Sequence, residues 1–396
     1  MSNYNILKSL CKKIYMTGLG NFWYEPNIIE DDASLKYKAY MAVLFSVYGL
    51  MTILEILAAL FGDFSEDENR DSITLAVCHT LDMIKIFSVI FNKDLVKRIN
   101  QKLVMVCSIH EEDELMIEQY KVIKFNIIPY LVAVCGAAAC FVYEGIRKYT
   151  EGSQFVTVVT YWPSSNDDSI SGDACRILTT ILLFIMLVNI VSVDCSAMIY
   201  LIIYKYKFVT LKKYFENLRD DFDQNFEDNE RSATDILTEG VIRGIVMHEE
   251  LLSLSKDIDT AFGTVMACQI LQSSGGAVSL LLQIALADQL TLAGVMKIIF
   301  FVASLLFVLG LFLCNAGEIT YQASLISDAI FYCGWHASLP TRRGRDLRQL
   351  VCFACARAQR PLAMKVFKVV ELTYATFITV LRSTYSVFAL FYAQNK

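Results

Sequence analysis

Charge is scarce in this chain. Aspartate, glutamate, lysine and arginine make up only 19% of its 396 residues, while apolar residues make up 55%. An ordinary soluble enzyme, with about a quarter of its residues charged, is a poor fit to that balance. Histidine is scarcer still: His79, His110, His248 and His336 are too far apart in sequence to have ligand spacing, which argues against zinc or di-iron chemistry. There is no glycine-rich phosphate loop, no nucleophile elbow and no basic patch suited to nucleic acid, so no catalytic residue, cofactor or nucleic-acid partner is expected. Residues 1–36 carry Lys8, Lys12 and Lys13 but no apolar core followed by a small-residue cleavage site. The first spanning segment is therefore expected to act as its own signal. Internal repeats, low-complexity tracts and N-x-Ser/Thr acceptors are missing too. The lack of repeats weighs against a secondary transporter, whose paired, interrupted helices carry internal symmetry; Gly275-Gly276 is the one interruption of that kind.

What is abundant is apolar length. Mean hydropathy is +0.44, and seven segments reach the roughly 20 apolar residues that a spanning helix needs: 37–61, 73–91, 125–143, 177–204, 261–287, 290–314 and 366–392. The net charge of -6 says little here, because position decides orientation. Alternate polar regions hold 27 lysines and arginines against 6 in the regions between them, which predicts a cytoplasmic N-terminus and an extracellular C-terminus. A G-protein-coupled receptor has the opposite orientation. The twelve cysteines fall mostly in or beside apolar segments, where a thiol acts as a small hydrophobe. Cys352 and Cys355 have metal-like spacing but no second pair, and Cys140 and Cys175, at the outer ends of neighbouring helices, are either free thiols or a bridge.

The polar regions carry helical patterning of their own. Leu211, Phe215, Leu218 and Phe222 recur at helical spacing in 205–256, which predicts membrane helices extending into the cytoplasm and packing there. A further helix is expected over 317–335 from Ile319, Leu325, Ile326, Ala329 and Ile330, then a loop at Pro340 and Gly344, then a helix over 346–359 ending before Pro361. Within the spans, Asp82 and Lys85 sit three apart and can neutralise each other. Glu55, Glu144, Asp194 and Asp288 have no obvious local partner. In the loop 147–173, Trp162 is expected either to cap a pocket or to rest at the membrane surface.

Gly317, Ser324, Ala329 and Trp335, followed by Arg357, Gln359, Pro361, Phe377, Tyr385, Ser386 and Leu390, stand in the order of a family pattern. The C-terminal third of the chain resembles insect odorant receptors in these residues; the first two-thirds resemble them only in length, hydropathy and topology. The related gustatory receptors end in a Thr-Tyr pair followed by Gln-Phe, whereas here Thr384-Tyr385 leads into Ser386-Val387-Phe388-Ala389-Leu390, as in the odorant branch. The resemblance implies an all-α membrane protein of seven spanning helices, with helices four to six extended into a cytoplasmic anchor and the seventh split into cytoplasmic and pore-lining parts.

It also implies a non-selective cation channel of four subunits in the plasma membrane of an olfactory dendrite. This chain would be the odorant-tuning subunit beside the insect odorant co-receptor, since its second cytoplasmic loop is too short for the co-receptor itself. A gustatory-like channel and a secondary transporter are the alternatives. The expected parts are a cytoplasmic segment (1–36), a membrane domain with the pocket (37–314), an anchor (315–365) and a pore helix (366–396). A small, volatile, apolar ligand would contact His79, Met83, Cys140, Tyr143, Thr180, Phe184, Phe300, Phe301 and Ser304 in the outer half of the membrane domain. Tyr385, Ser386, Ala389 and Leu390 would form the pore and gate, with Arg382 turned sideways into a subunit interface. Ser324, Trp335, Arg357, Gln359 and Pro361 would serve the anchor.

Overall fold

Away from water, a backbone that must satisfy its own hydrogen bonds becomes helical, and the apolar runs of this chain do so. The computed structural model describes all residues except 1, 63, 65, 153, 164–166, 168, 227–229, 287–291, 339–341, 367–368 and 395–396. In chain order the elements are α1 (Asn3–Met16), α2 (Leu35–Phe61), α3 (Glu66–Phe91), α4 (Lys93–Met105), α5 (Asp113–Thr150), α6 (Ile170–Phe226), α7 (Glu230–Leu286), α8 (Leu292–Ser324), α9 (Ile326–Phe331), α10 (Arg342–Ala358), β1 (Lys365–Val366), β2 (Val370–Glu371) and α11 (Tyr374–Gln394). Seven of them, α2, α3, α5, α6, α7, α8 and α11, are long and apolar enough to cross a membrane. Asp288 and Pro340 lie outside the described residues.

Several boundaries differ from the sequence reading. The helix expected over 317–335 is instead the end of α8 followed, after a break at Leu325, by the short α9. α11 starts at Tyr374 rather than at 366, because 365–366 pairs antiparallel with 370–371, and Lys365 meets Glu371 at 3.0 Å. Gly275 and Gly276 do not interrupt α7. Gly276 lets α8 come close instead: a Cβ there would stand 2.9 Å from Leu305 Cδ1. Cys140 and Cys175 are free thiols.

The expected packing of long helices beyond the apolar spans is present. The C-terminal half of α6 runs through the core at the end of the bundle where the basic residues concentrate, with Tyr200, Tyr204, Phe208, Leu211 and Phe215 all fully buried against α7. The amphipathic α1 and α4 were not legible as spans, being short and charged, and they complete this end. Ile6, Leu7, Leu10, Cys11 and Ile14 of α1 share one buried cluster with Val96, Ile99 and Leu103 of α4 and with α6. Each fully buried side chain of this kind stabilises by about 1.5–3 kcal/mol. A polar knot holds α1 in place: Asn3 Nδ2 donates to Glu111 Oε1 (2.7 Å), Gln119 Nε2 donates to Asn3 Oδ1 (2.6 Å), and Lys207 Nζ reaches the same Glu111 oxygen at 2.5 Å.

Candidate functional site

Where α3, α5, α6, α7 and α8 converge they leave a cavity of about 100 Å³. Most of its wall is apolar, with Leu75, Val134, Phe141, Leu183, Phe301 and Leu305 among the lining residues. The loop after α5 packs against this wall. Val158, only 4% exposed, packs in a cluster with Met51 and Leu75, against Phe141, Leu183 and Phe301, while the Tyr161 N–H donates to Leu54 O at 3.0 Å. Trp162 does not cap this cavity; it is exposed.

The other side of the wall is polar. Lys85 Nζ donates to Gln269 Oε1 (2.5 Å) and Gln272 Oε1 (2.6 Å), and stands 3.2 Å from Asp82 Oδ1 and 3.8 Å from Asp194 Oδ1. Tyr130 OH donates to Asp194 Oδ2 at 2.9 Å, and Gln272 Nε2 donates to Asp82 Oδ2 at 3.1 Å. Each of these six side chains is at least nine-tenths buried and lines the cavity. A second pair, His79 Nδ1 with the Glu55 carboxylate at 2.7 and 2.9 Å, joins α3 to α2 beside it. The i,i+3 pairing of Asp82 with Lys85 was readable in sequence. The partners of Asp194 and Glu55 were not, because they come from other helices.

The family model described as 7tm Odorant receptor matches residues 65–385. The chain belongs to the odorant receptor family. No curated protein matches it. Among solved structures it is similar to the insect olfactory receptor OR5 from Machilis hrabei, with a TM-score of 0.80 and 12% identity over 98% of this chain and 99% of that one. It is also similar to the same receptor in complex with eugenol, with a TM-score of 0.76 and 12% identity over the full length of both chains. At that identity the likeness carries the fold: this odorant receptor is an all-α protein of seven membrane helices.

Of the nine pocket residues named from sequence, His79, Phe301 and Ser304 line the cavity, and the other six do not. Met83 packs in a separate cluster with Leu44, Tyr48 and Met186. Thr180 shares a 2.7 Å hydrogen bond with Thr157 of the loop. Phe300 packs on α5, where a Cβ on Gly136 would stand 2.8 Å from its ring. Tyr143 is 60% and Phe184 41% exposed, and Cys140 is half-buried outside the wall. The differences are often one position, Phe184 beside Leu183 or Phe300 beside Phe301, and one step along a helix turns a side chain by about 100°. Periodicity supplies the relative faces; the rotation of each helix in the bundle decides which one lines the cavity.

The residues named for the gate and anchor lie elsewhere. Tyr385, Ser386 and Leu390 are exposed on α11 and Ala389 is half-buried there. At the opposite, basic end, Ser324 closes α8 and Trp335 Nε1 donates to Phe331 O at 2.7 Å. Arg357 Nε reaches Glu249 Oε1 at 2.9 Å, joining α10 to α7, and holds that carboxyl below its usual range. Gln359 and Pro361 are exposed just beyond α10.

Proposed function

We propose that this odorant receptor is the tuning subunit of a ligand-gated, non-selective cation channel, assembled with the insect odorant co-receptor as a four-subunit complex in the plasma membrane. The observation that carries the reading is the surface of α11. Only Thr384 of this apolar helix is buried, and Thr379, Ser383 and Ser386, spaced i, i+4, i+7, form one exposed polar strip with Arg382 at its edge. A polar strip facing lipid is costly, whereas facing its counterparts across a water-filled path it is solvated. Leu390 stands one turn beyond Ser386 on the same strip, where an apolar ring closes the path by dewetting. Arg382 would repel a permeating cation, so its guanidinium turns to the flank of the helix, towards a neighbouring subunit.

The buried cavity is the odorant site, with His79, Phe301 and Ser304 in its wall; the eugenol complex of the similar receptor supports a small-molecule guest for this fold. α8 connects cavity to pore. It presents Ser304 and Val308 to the cavity, while α11 lays Phe377 over Gly310 and Tyr374 over Gly317, where an added Cβ would meet the rings at 3.3 and 2.9 Å. A ligand that prefers one α8 position thereby favours one α11 position. Ser324, Trp335, Arg357, Gln359 and Pro361 serve assembly in a cytoplasmic anchor of residues 315–365, and the N-terminus lies in the cytoplasm.

Voltage clamp of cells expressing the chain with and without the co-receptor, over a broad panel of volatiles, tests the reading. Ligand-gated current that requires both chains is expected. Silence towards every volatile despite surface delivery would overturn it.

A further inference from the structure

The polar side of the cavity has more acceptors than donors. Asp82 and Asp194 present two carboxylates to one ammonium, and Glu55 is already engaged by His79. Lys85 directs hydrogen bonds to two glutamine oxygens, at 2.5 and 2.6 Å. One oxygen of each carboxylate is satisfied, Asp82 Oδ2 by Gln272 and Asp194 Oδ2 by Tyr130. Asp82 Oδ1 and Asp194 Oδ1, each fully shielded from solvent, have the Lys85 ammonium 3.2 and 3.8 Å away but accept no hydrogen bond from the described residues. Both residues line the cavity and are only 4% and 2% exposed. Buried acceptors left without donors are costly, and one carboxylate in excess of the ammonium is more so.

We propose that the preferred ligand of this cavity is a small volatile amine, whose ammonium shares the Asp82 and Asp194 carboxylates with Lys85 while its hydrocarbon body fills the apolar wall. Such a head supplies N–H donors for the two open oxygens and the positive charge that balances the second carboxylate. A hydroxyl supplies one donor and no charge, and a ketone or ester supplies neither.

This inference rests on the cavity being the odorant site. The test compares cyclohexylamine, cyclohexanol and cyclohexanone, equal in carbon skeleton, on cells expressing the chain with the co-receptor. A charge-assisted hydrogen bond is about twice as strong as a neutral one, so half-maximal current is expected at an amine concentration about tenfold or more below that of the alcohol or ketone. Asp82→Asn and Asp194→Asn should each bring the amine-to-alcohol ratio towards one, and a ratio is insensitive to how much protein reaches the surface. An amine no more potent than the alcohol, or a ratio unchanged in both variants, overturns the proposal. If no volatile evokes current, the channel reading fails by itself, and thermal unfolding of the purified chain with each compound decides the ligand: stabilisation by the amine above the alcohol supports the inference, and equal or absent stabilisation overturns it.

Discussion

Replacing Lys85 by Met should destabilise the receptor more than any single carboxylate change beside it. Lys85 is 1% exposed, and the methionine keeps its stem volume but removes the ammonium that faces both Asp82 and Asp194. Two glutamine oxygens lose their donor as well. Removing one partner of a buried ion pair costs about 3–5 kcal/mol, because the remaining charge keeps its desolvation penalty and loses its compensation. Asp194→Asn has a different balance. It leaves one carboxylate with one ammonium and keeps an acceptor for Tyr130, so its expected cost is about 1 kcal/mol or less. Lys85→Met combined with Asp194→Asn should then recover about 1–3 kcal/mol relative to Lys85→Met, since one uncompensated charge is gone. The assay is thermal unfolding of detergent-solubilised receptor followed by gel filtration. The single lysine variant should melt on the order of 5 °C lower, with partial recovery in the double variant. A Lys85→Met protein that melts with the wild type, or a double variant worse than the sum of its parts, would refute the charge argument.

Three further outcomes are expected. Leu390→Ser should raise ligand-free current in cells carrying the co-receptor, with Ala389→Ser doing less because Ala389 is half-buried beside the strip; unchanged basal current at normal surface expression removes Leu390 from the gate. Asn3→Ala leaves Gln119 Nε2 without its buried acceptor, while Glu111 keeps Lys207, so it should lower the melting temperature by the equivalent of about 1–3 kcal/mol, whereas the same change at exposed Asn5 should be silent. His110, its ring tilted against that of Tyr214 with centroids 4.5 Å apart, has its imidazole held below the usual range by burial and by the positive charge of Arg243. Its neutral form is favoured in the fold, so its contribution to stability is present above about pH 6.5 and is lost as the pH falls towards the folded value; His110→Phe should flatten that part of the melting profile between about pH 7 and about pH 5.

Elements carried by long apolar runs were legible, and sites built from single residues on different helices were not. The runs around residues 37–61 and 177–204 could only be spanning helices, since a backbone in lipid has no other way to satisfy itself. The stripe Leu211, Phe215, Leu218 and Phe222 announced that α6 continues, because 3.6-residue periodicity is local. The short α1 and α4 passed unnoticed: their burial depends on a docking face that lies elsewhere in the chain. Met83, Cys140, Tyr143, Thr180, Phe184 and Phe300 were reasonable pocket candidates on the right helices, but do not line the cavity observed.

By itself, then, the sequence determined the number of spanning helices, the distribution of charge between their ends and the family. Each of these is set by hydropathy and order along the chain. The tertiary structure alone decided that His79 meets Glu55 and that Lys85 also faces Asp194, 24 and 109 residues away in sequence. It also decided that Val158 rather than Trp162 packs against residues of the cavity wall. Those outcomes depend on how far each helix is rotated and translated against its neighbours, a quantity set by the close packing of all of them together and written in no single segment.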